Sequence, residues 1–171
     1  MMTRTQRPVS LVRLGLGAAA LLAVVLAPAS VAAAGSKVAP RIPLAGASVI
    51  GWGFNGPYGV SSDGTHVWVA NQGGNSVIEL AAATGALVKV ISGSSYGFNG
   101  PYGVSSDGTH VWVANYGGNS VTELAAATGA LVKVISGSSY GFNNPDAVSS
   151  DGTHVWVANR GGQSVTELPA S

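Results

Sequence analysis

Residues Gly97–Tyr140 read GFNGPYGVSSDGTHVWVANYGGNSVTELAAATGALVKVISGSSY. The 44 residues before them, Gly53–Tyr96, are the same but for Gln72 in place of Tyr116 and Ile78 in place of Thr122. A third copy runs from Gly141 to Ser171, thirteen residues short of the full unit. Self-similarity at a fixed period is the signature of a repeat architecture, in which each unit buries its apolar faces against its neighbours. Within one unit, runs rich in β-branched and aromatic residues alternate with turn chemistry. In the second copy, strand a is expected over about Gly103–Ser106 and is ended by Asp107-Gly108. Strand b follows over Thr109–Ala114, and Asn115–Asn119 turns the chain through two glycines. Strand c is Ser120–Leu124, Ala126–Gly129 turns again, and strand d is Ala130–Ile135.

Four short antiparallel strands in 44 residues match the blade of a β-propeller, whose repeats run to about 40–50 residues. The expected fold is therefore all-β, with about three four-stranded blades in this chain. Alternation along strand b places His110, Trp112 and Ala114 on one face and Val111 and Val113 on the other. Both faces of a blade pack on neighbours, so both sets are expected in the core.

The motifs Pro-Tyr-Gly-Val, Ser-Asp-Gly, His-Val-Trp-Val-Ala-Asn and Gly-Gly-Asn-Ser-Val recur in register. They resemble the NHL and YVTN families of propeller repeats over Gly53–Leu168. The resemblance implies the propeller fold. The group it points to includes secreted binding proteins, carbohydrate- and peptide-binding modules, and virginiamycin B lyase-like enzymes.

The N-terminus carries a different signal. Met1–Arg13 holds three arginines and no acid, Leu14–Ala27 is an unbroken run of Leu, Val, Ala and Gly, and a small-residue stretch follows Pro28. A basic segment, a short apolar core and an Ala-x-Ala site describe a secretory signal peptide, residues 1–34, with cleavage after Ala34 or Ala33. The apolar run is shorter than the roughly 20 residues a spanning helix needs. The expected product is extracytoplasmic, with a linker over 35–46, a repeat domain over 47–171 and no membrane span.

The whole chain has formal charge +1. Removing the signal leaves five basic residues against seven acidic ones, a net charge of −2. Scattered charges of that balance give no electrostatic footprint for nucleic acid. The sequence has no cysteine, which removes disulfides, thiolate catalysis and cysteine-bound zinc from consideration.

Each repeated polar residue has a structural role open to it. His66, His110 and His154 recur once per unit. Zinc ligands must lie within about 4 Å of one another, while packed sheets stand about 10 Å apart, so no metal or other cofactor is expected. Asp63, Asp107 and Asp151 are expected to brace their turns by accepting backbone N–H groups. Glu79, Glu123 and Glu167 with Lys89 and Lys133 are expected as exposed cross-strand pairs on the blade rim. No catalytic residue is assigned.

Differences between copies are more informative. Nearly all of them fall on the d–a connector (Gly56/Gly100/Asn144, Tyr58/Tyr102/Asp146, Gly59/Gly103/Ala147) and on the b–c turn (Gln72/Tyr116/Arg160, Asn75/Asn119/Gln163), with Ile78/Thr122/Thr166 just after it. These connections leave a blade at the same end, and loops on one face of a rigid scaffold commonly carry binding. Tyr58, Tyr102, Asp146, Tyr116 and Arg160 are the candidate ligand-binding residues. Rings with one acid and one base suit a carbohydrate, peptide or protein ligand better than a phosphate.

The first expectation is a secreted, non-enzymatic binding module. The alternatives are a metal-dependent lyase- or lactonase-like enzyme and a piece of a longer propeller without independent function. Ala47–Ile50 resembles a lone strand d that would complete the trailing a-b-c set. Three blades fall below the 4–8 of closed propellers, so a homodimer completing a six-bladed ring is the expected assembly.

Overall fold

Each Ser-Asp-Gly-Thr stretch folds the chain back on itself because its aspartate ties the turn together. Asp63 Oδ1 accepts the backbone N–H groups of Thr65 at 2.9 Å and His66 at 2.7 Å. Asp107 and Asp151 repeat the pattern. The glycine that follows adopts positive φ, 89° at Gly64, a conformation open to it at low cost. The computed structural model describes residues 43–44 and 47–171. The expected signal peptide, 1–34, and most of the expected linker, 35–46, lie outside the described residues.

Thirteen strands are described: β1 (Pro43–Leu44), β2 (Ala47–Ser48), β3 (Pro57–Ser62), β4 (His66–Asn71), β5 (Ser76–Ala81), β6 (Leu87–Ser92), β7 (Pro101–Ser106), β8 (His110–Asn115), β9 (Ser120–Ala125), β10 (Leu131–Ser136), β11 (Pro145–Ser150), β12 (His154–Asn159) and β13 (Ser164–Pro169). They form blade 1 (β3-β4-β5-β6), blade 2 (β7-β8-β9-β10), blade 3 (β11-β12-β13) and the hairpin β1-β2. Every pairing is antiparallel and joins sequence neighbours. The expected strands a to d are present, strand a starting two residues early at Pro101.

One expected pairing is not made. Ala47–Ser48 does not complete blade 3; Ala47 pairs with Leu44, and Ser48 with Pro43. A hairpin closed over two residues loses far less loop entropy than a partner at the other end of the chain would require. Blade 3 consequently has three strands among the described residues.

The core lies between blades. One face of blade 1 (Trp68, Ala70, Val77, Ile91) meets the opposite face of blade 2 (Val104, Val111, Val113, Leu124), with Tyr96 and Phe98 from the connector wedged against the seam. The same arrangement recurs 44 residues later. Trp112, Val121 and Ile135 meet Val155, Val157 and Leu168, and Phe142 packs beside them. Ahead of blade 1, Trp52 and Phe54 take the connector's place over Val69, Ile78 and Leu80. Both faces of β8 are thus buried from Val111 to Asn115, with His110 at the start of the strand half-buried.

Two expectations about individual positions are corrected. The Ile78/Thr122 difference is not a rim feature; both side chains are buried. Thr122 Oγ1 donates to the Tyr96 carbonyl at 2.9 Å, and Thr166 does the same to Tyr140 at 2.8 Å. In blade 1 the wedge is Trp52, and its partner is the apolar Ile78. The glutamates are also not exposed rim residues in blades 1 and 2. Glu79 and Glu123 lie on the same face as Trp68 and Trp112, opposite them in the register, and the next blade buries them. Glu123 keeps Lys133 at 3.1 Å, while Lys89 reaches across the seam to the Thr128 carbonyl. Of the three, only Glu167, on the last described blade, is exposed.

Candidate functional site

The d–a connector and the b–c turn do share one end of each blade, and backbone hydrogen bonds fasten them together. Gln72 N–H donates to Gly56 O at 2.9 Å, Tyr116 N–H to Gly100 O at 2.9 Å, and Arg160 N–H to Asn144 O at 3.2 Å. In each blade this brings together the connector and turn positions at which the copies differ.

Strand a then aims its second residue out of the ladder. Pro101 pairs with Asn115 and Gly103 with Ala114, so Tyr102 has no partner across the strand. Tyr58 and Asp146 lie at the corresponding register shifts in β3 and β11. An unpaired residue of this kind turns its side chain away from the regular alternation, a device common beside functional sites. The glycine after it lets neighbouring blades approach. A Cβ on Gly59 would stand 2.4 Å from the Tyr102 carbonyl, and one on Gly103 2.8 Å from Ala147 Cα.

The result is a ladder of rings crossing from blade 1 to blade 2. Tyr58 and Tyr102 stack with centroids 3.9 Å apart, and Tyr102 stacks on Tyr116 at 4.8 Å. Tyr102 lies between the other two, while Tyr58 is 63% exposed at the outer end. A hydrogen bond with Tyr58, then burial and the neighbouring phenols, push the Tyr102 hydroxyl above its ordinary range; the Arg160 charge pulls the other way. The raised Tyr102 hydroxyl stays protonated at neutral pH and can both donate and accept a hydrogen bond.

Asp146 and Arg160 stand at the equivalent positions of blade 3 and line an open cavity of about 430 Å³ with Asn159, Gln163, Ser164 and Val165. The structure therefore places three candidate residues in one stack. It places the other two together at the same end of the next blade, with Arg160 near enough for its charge to act on Tyr102. Sequence reading missed Asn159, Ser164 and Val165 as lining residues, because these positions are identical in all three copies while Ser164 and Val165 are exposed only in blade 3.

The other repeated polar groups lie toward the opposite end. Burial raises the Asp63 carboxyl, but hydrogen bonds from His66, Trp68, Thr65 and Ser106 outweigh it and hold the group at about 2. Asp107 is lowered in the same way. Each histidine stays with its own blade: His66 Nε2 is 3.6 Å from Glu79, His110 Nε2 3.6 Å from Glu123, and His154 Nε2 3.7 Å from Glu167. Among the described residues no three His, Cys, Asp or Glu side chains are grouped to hold a metal ion.

No family profile and no curated protein matches the chain. Solved structures do. Hydrazine synthase of Kuenenia stuttgartiensis superposes with a TM-score of 0.57 at 21% identity, over 68% of this chain and 33% of its own. A catalytically inactive virginiamycin B lyase of Staphylococcus aureus, solved with quinupristin, gives 0.56 at 16%, over 74% and 42%. The β-propeller domain of Cps50 (Swd1) from Myceliophteria thermophila gives 0.53 at 10%, over 67% and 41%. The fold is that of a β-propeller. The chain spans less than half the length of each of these proteins, and at such identities the likeness concerns the fold alone.

Proposed function

We propose that this chain is a secreted, non-enzymatic propeller module of the NHL/YVTN kind. It would take an oligosaccharide, or a peptide of similar shape, at the end where the d–a connectors and b–c turns meet. The observation that carries this reading is the Tyr58–Tyr102–Tyr116 stack beside the Asp146 and Arg160 side chains. Rings ordered by one another lose little conformational freedom when a ligand arrives, and tyrosine and arginine dominate binding hot spots. An apolar sugar face suits the open ring of Tyr58, while the hydroxyl groups around it suit the tyrosine OH groups, the carboxylate and the guanidinium. The five residues contain no nucleophile–base pair. The leader pattern of residues 1–34 supports secretion.

Glycan and peptide arrays test the reading. The wild-type chain is expected to bind a related set of glycans, and a Tyr102→Ala/Arg160→Ala double variant to lose about tenfold or more in affinity, roughly the loss of one or two modest hot spots. Silence on both arrays, or undiminished binding by the double variant, overturns it.

A further inference from the structure

Two asparagines in the b–c turns carry a left-handed backbone, Asn75 at φ 44° and Asn119 at φ 47°. Glycine takes that conformation at lower cost, and each turn already holds two glycines just before the asparagine. The side chain supplies the reason for asparagine. Asn75 Oδ1 accepts the Gly100 N–H at 2.8 Å, and Asn119 Oδ1 accepts the Asn144 N–H at 2.7 Å. Both bonds cross a seam between blades, from the b–c turn of one blade to the connector that opens the next.

The connector is therefore gripped from both sides. Gly100 gives its N–H to Asn75 of blade 1, and its carbonyl accepts the Tyr116 N–H of blade 2. Asn144 is held in the same way by Asn119 and by the Arg160 N–H, and its Nδ2 also donates to the Tyr116 carbonyl at 3.3 Å. These bonds join end to end. They run from Asn75 to Gly100 and Tyr116, along the turn to Asn119, and on to Asn144 and Arg160.

One proline separates each gripped residue from a candidate ligand-binding residue. Pro101 lies between Gly100 and Tyr102, and Pro145 between Asn144 and Asp146; both prolines are buried. A proline ring fixes φ at about −65°, so little freedom remains between the grip and the side chain two residues on. Tyr102 stacks on Tyr58 of blade 1 with ring centroids 3.9 Å apart. Asn75 belongs to the same blade as Tyr58, so its bond to Gly100 holds one ring against the other.

We infer that Asn75 and Asn119 are positioning residues of the ligand site: Asn75 sets Tyr102 against Tyr58, and Asn119 sets Asp146 relative to blade 2 and its tyrosine ladder. The inference rests on the site proposed above and adds the residues that hold its parts together across two seams. Neither asparagine has to touch the bound sugar or peptide. Both bonds lie at the surface. The seams themselves are held by their buried apolar clusters and, at the other end, by Ser106 and Ser150 donating to Asp63 and Asp107. Removing one asparagine carbonyl is thus expected to loosen the site and leave the blades in place.

Asn75→Gly keeps the left-handed backbone and deletes the acceptor, while Asn75→Asp keeps an acceptor oxygen. In the ligand-free chain, nuclear Overhauser contacts between the Tyr58 and Tyr102 rings are expected in the wild type and in Asn75→Asp. They should be lost in Asn75→Gly, with the strand signal in circular dichroism unchanged. On the glycan and peptide arrays, Asn75→Gly should lose about tenfold in affinity, the scale of one modest hot spot, and Asn75→Asp should bind as the wild type does. Asn119→Gly should weaken array binding similarly but keep the Tyr58–Tyr102 contacts. Retained ring contacts in Asn75→Gly, undiminished binding by either glycine variant, or no rescue by Asn75→Asp overturns the inference. Loss of the strand signal in Asn75→Gly also overturns it, because the bond would then hold the fold rather than the site. Lost ring contacts with arrays silent even for the wild type would confirm the hold of Asn75 on the ladder and overturn only the ligand reading.

Discussion

Asp63 shows how much one side chain can hold in this protein. Its two oxygens accept N–H groups from Thr65, His66 and Trp68 and the hydroxyl of Ser106 in the next blade. Asp63→Asn keeps one carbonyl oxygen for the turn but sets an amide NH₂ against the Trp68 N–H and the Ser106 hydroxyl. Thermal unfolding at neutral pH should show a loss of about 1.5–3 kcal/mol, the scale of hydrogen bonds to a charged group. The pH dependence has a definite sign. A carboxyl held at about 2 when folded stabilises the fold fully above its ordinary value near pH 4, and that stability is lost as pH falls from about 4 toward 2. The Asp63→Asn variant should therefore lose less stability than the wild type across that window, measured by the unfolding midpoint at each pH. The turn role of this aspartate was legible from Ser-Asp-Gly-Thr alone. Its bond to Ser106 was not, since that contact spans 43 residues and depends on how blades stack. Glu123 was misread for the same reason: its own strand looks amphipathic, and only the neighbouring blade buries it.

At the scale of the blade, the seam between sheets decides stability. Trp112 is fully enclosed between blades 2 and 3, while Trp156, with the same local sequence, is 43% exposed. Trp112→Ala is expected to cost about 3–5 kcal/mol, the scale for removing a large buried aromatic. Trp156→Ala should cost clearly less, on the order of 1 kcal/mol. Chemical denaturation of the two variants checks this; equal losses would contradict the asymmetry of the seam. Strand order, turn positions and the alternation of β8 were all legible because identical copies report the same pattern repeatedly. The pairing of Ala47 with Leu44 was not, since two apolar residues before a repeat look the same as a displaced strand d. The Ile78/Thr122 difference also needed the structure. It follows the exchange of Trp52 for Tyr96 in the connector, and the two positions meet only in the fold.

At the scale of the molecule, three blades set the variable connectors and turns at one end and the repeated aspartate turns at the other. The candidate site was legible as a group, since the five residues were chosen by where the copies differ, and three of them form one stack. Their arrangement was hidden. The register shift that frees Tyr102 and the close approach at Gly59 are properties of paired strands, not of the sequence taken one position at a time. The most direct test of the account is amide hydrogen exchange of the chain with and without the strongest glycan from the array. The account predicts slowed exchange over residues 56–60, 100–104, 116–119 and 160–163, with the turns at Asp63, Asp107 and Asp151 unchanged. Protection confined to those aspartate turns would place the ligand at the wrong end and contradict it.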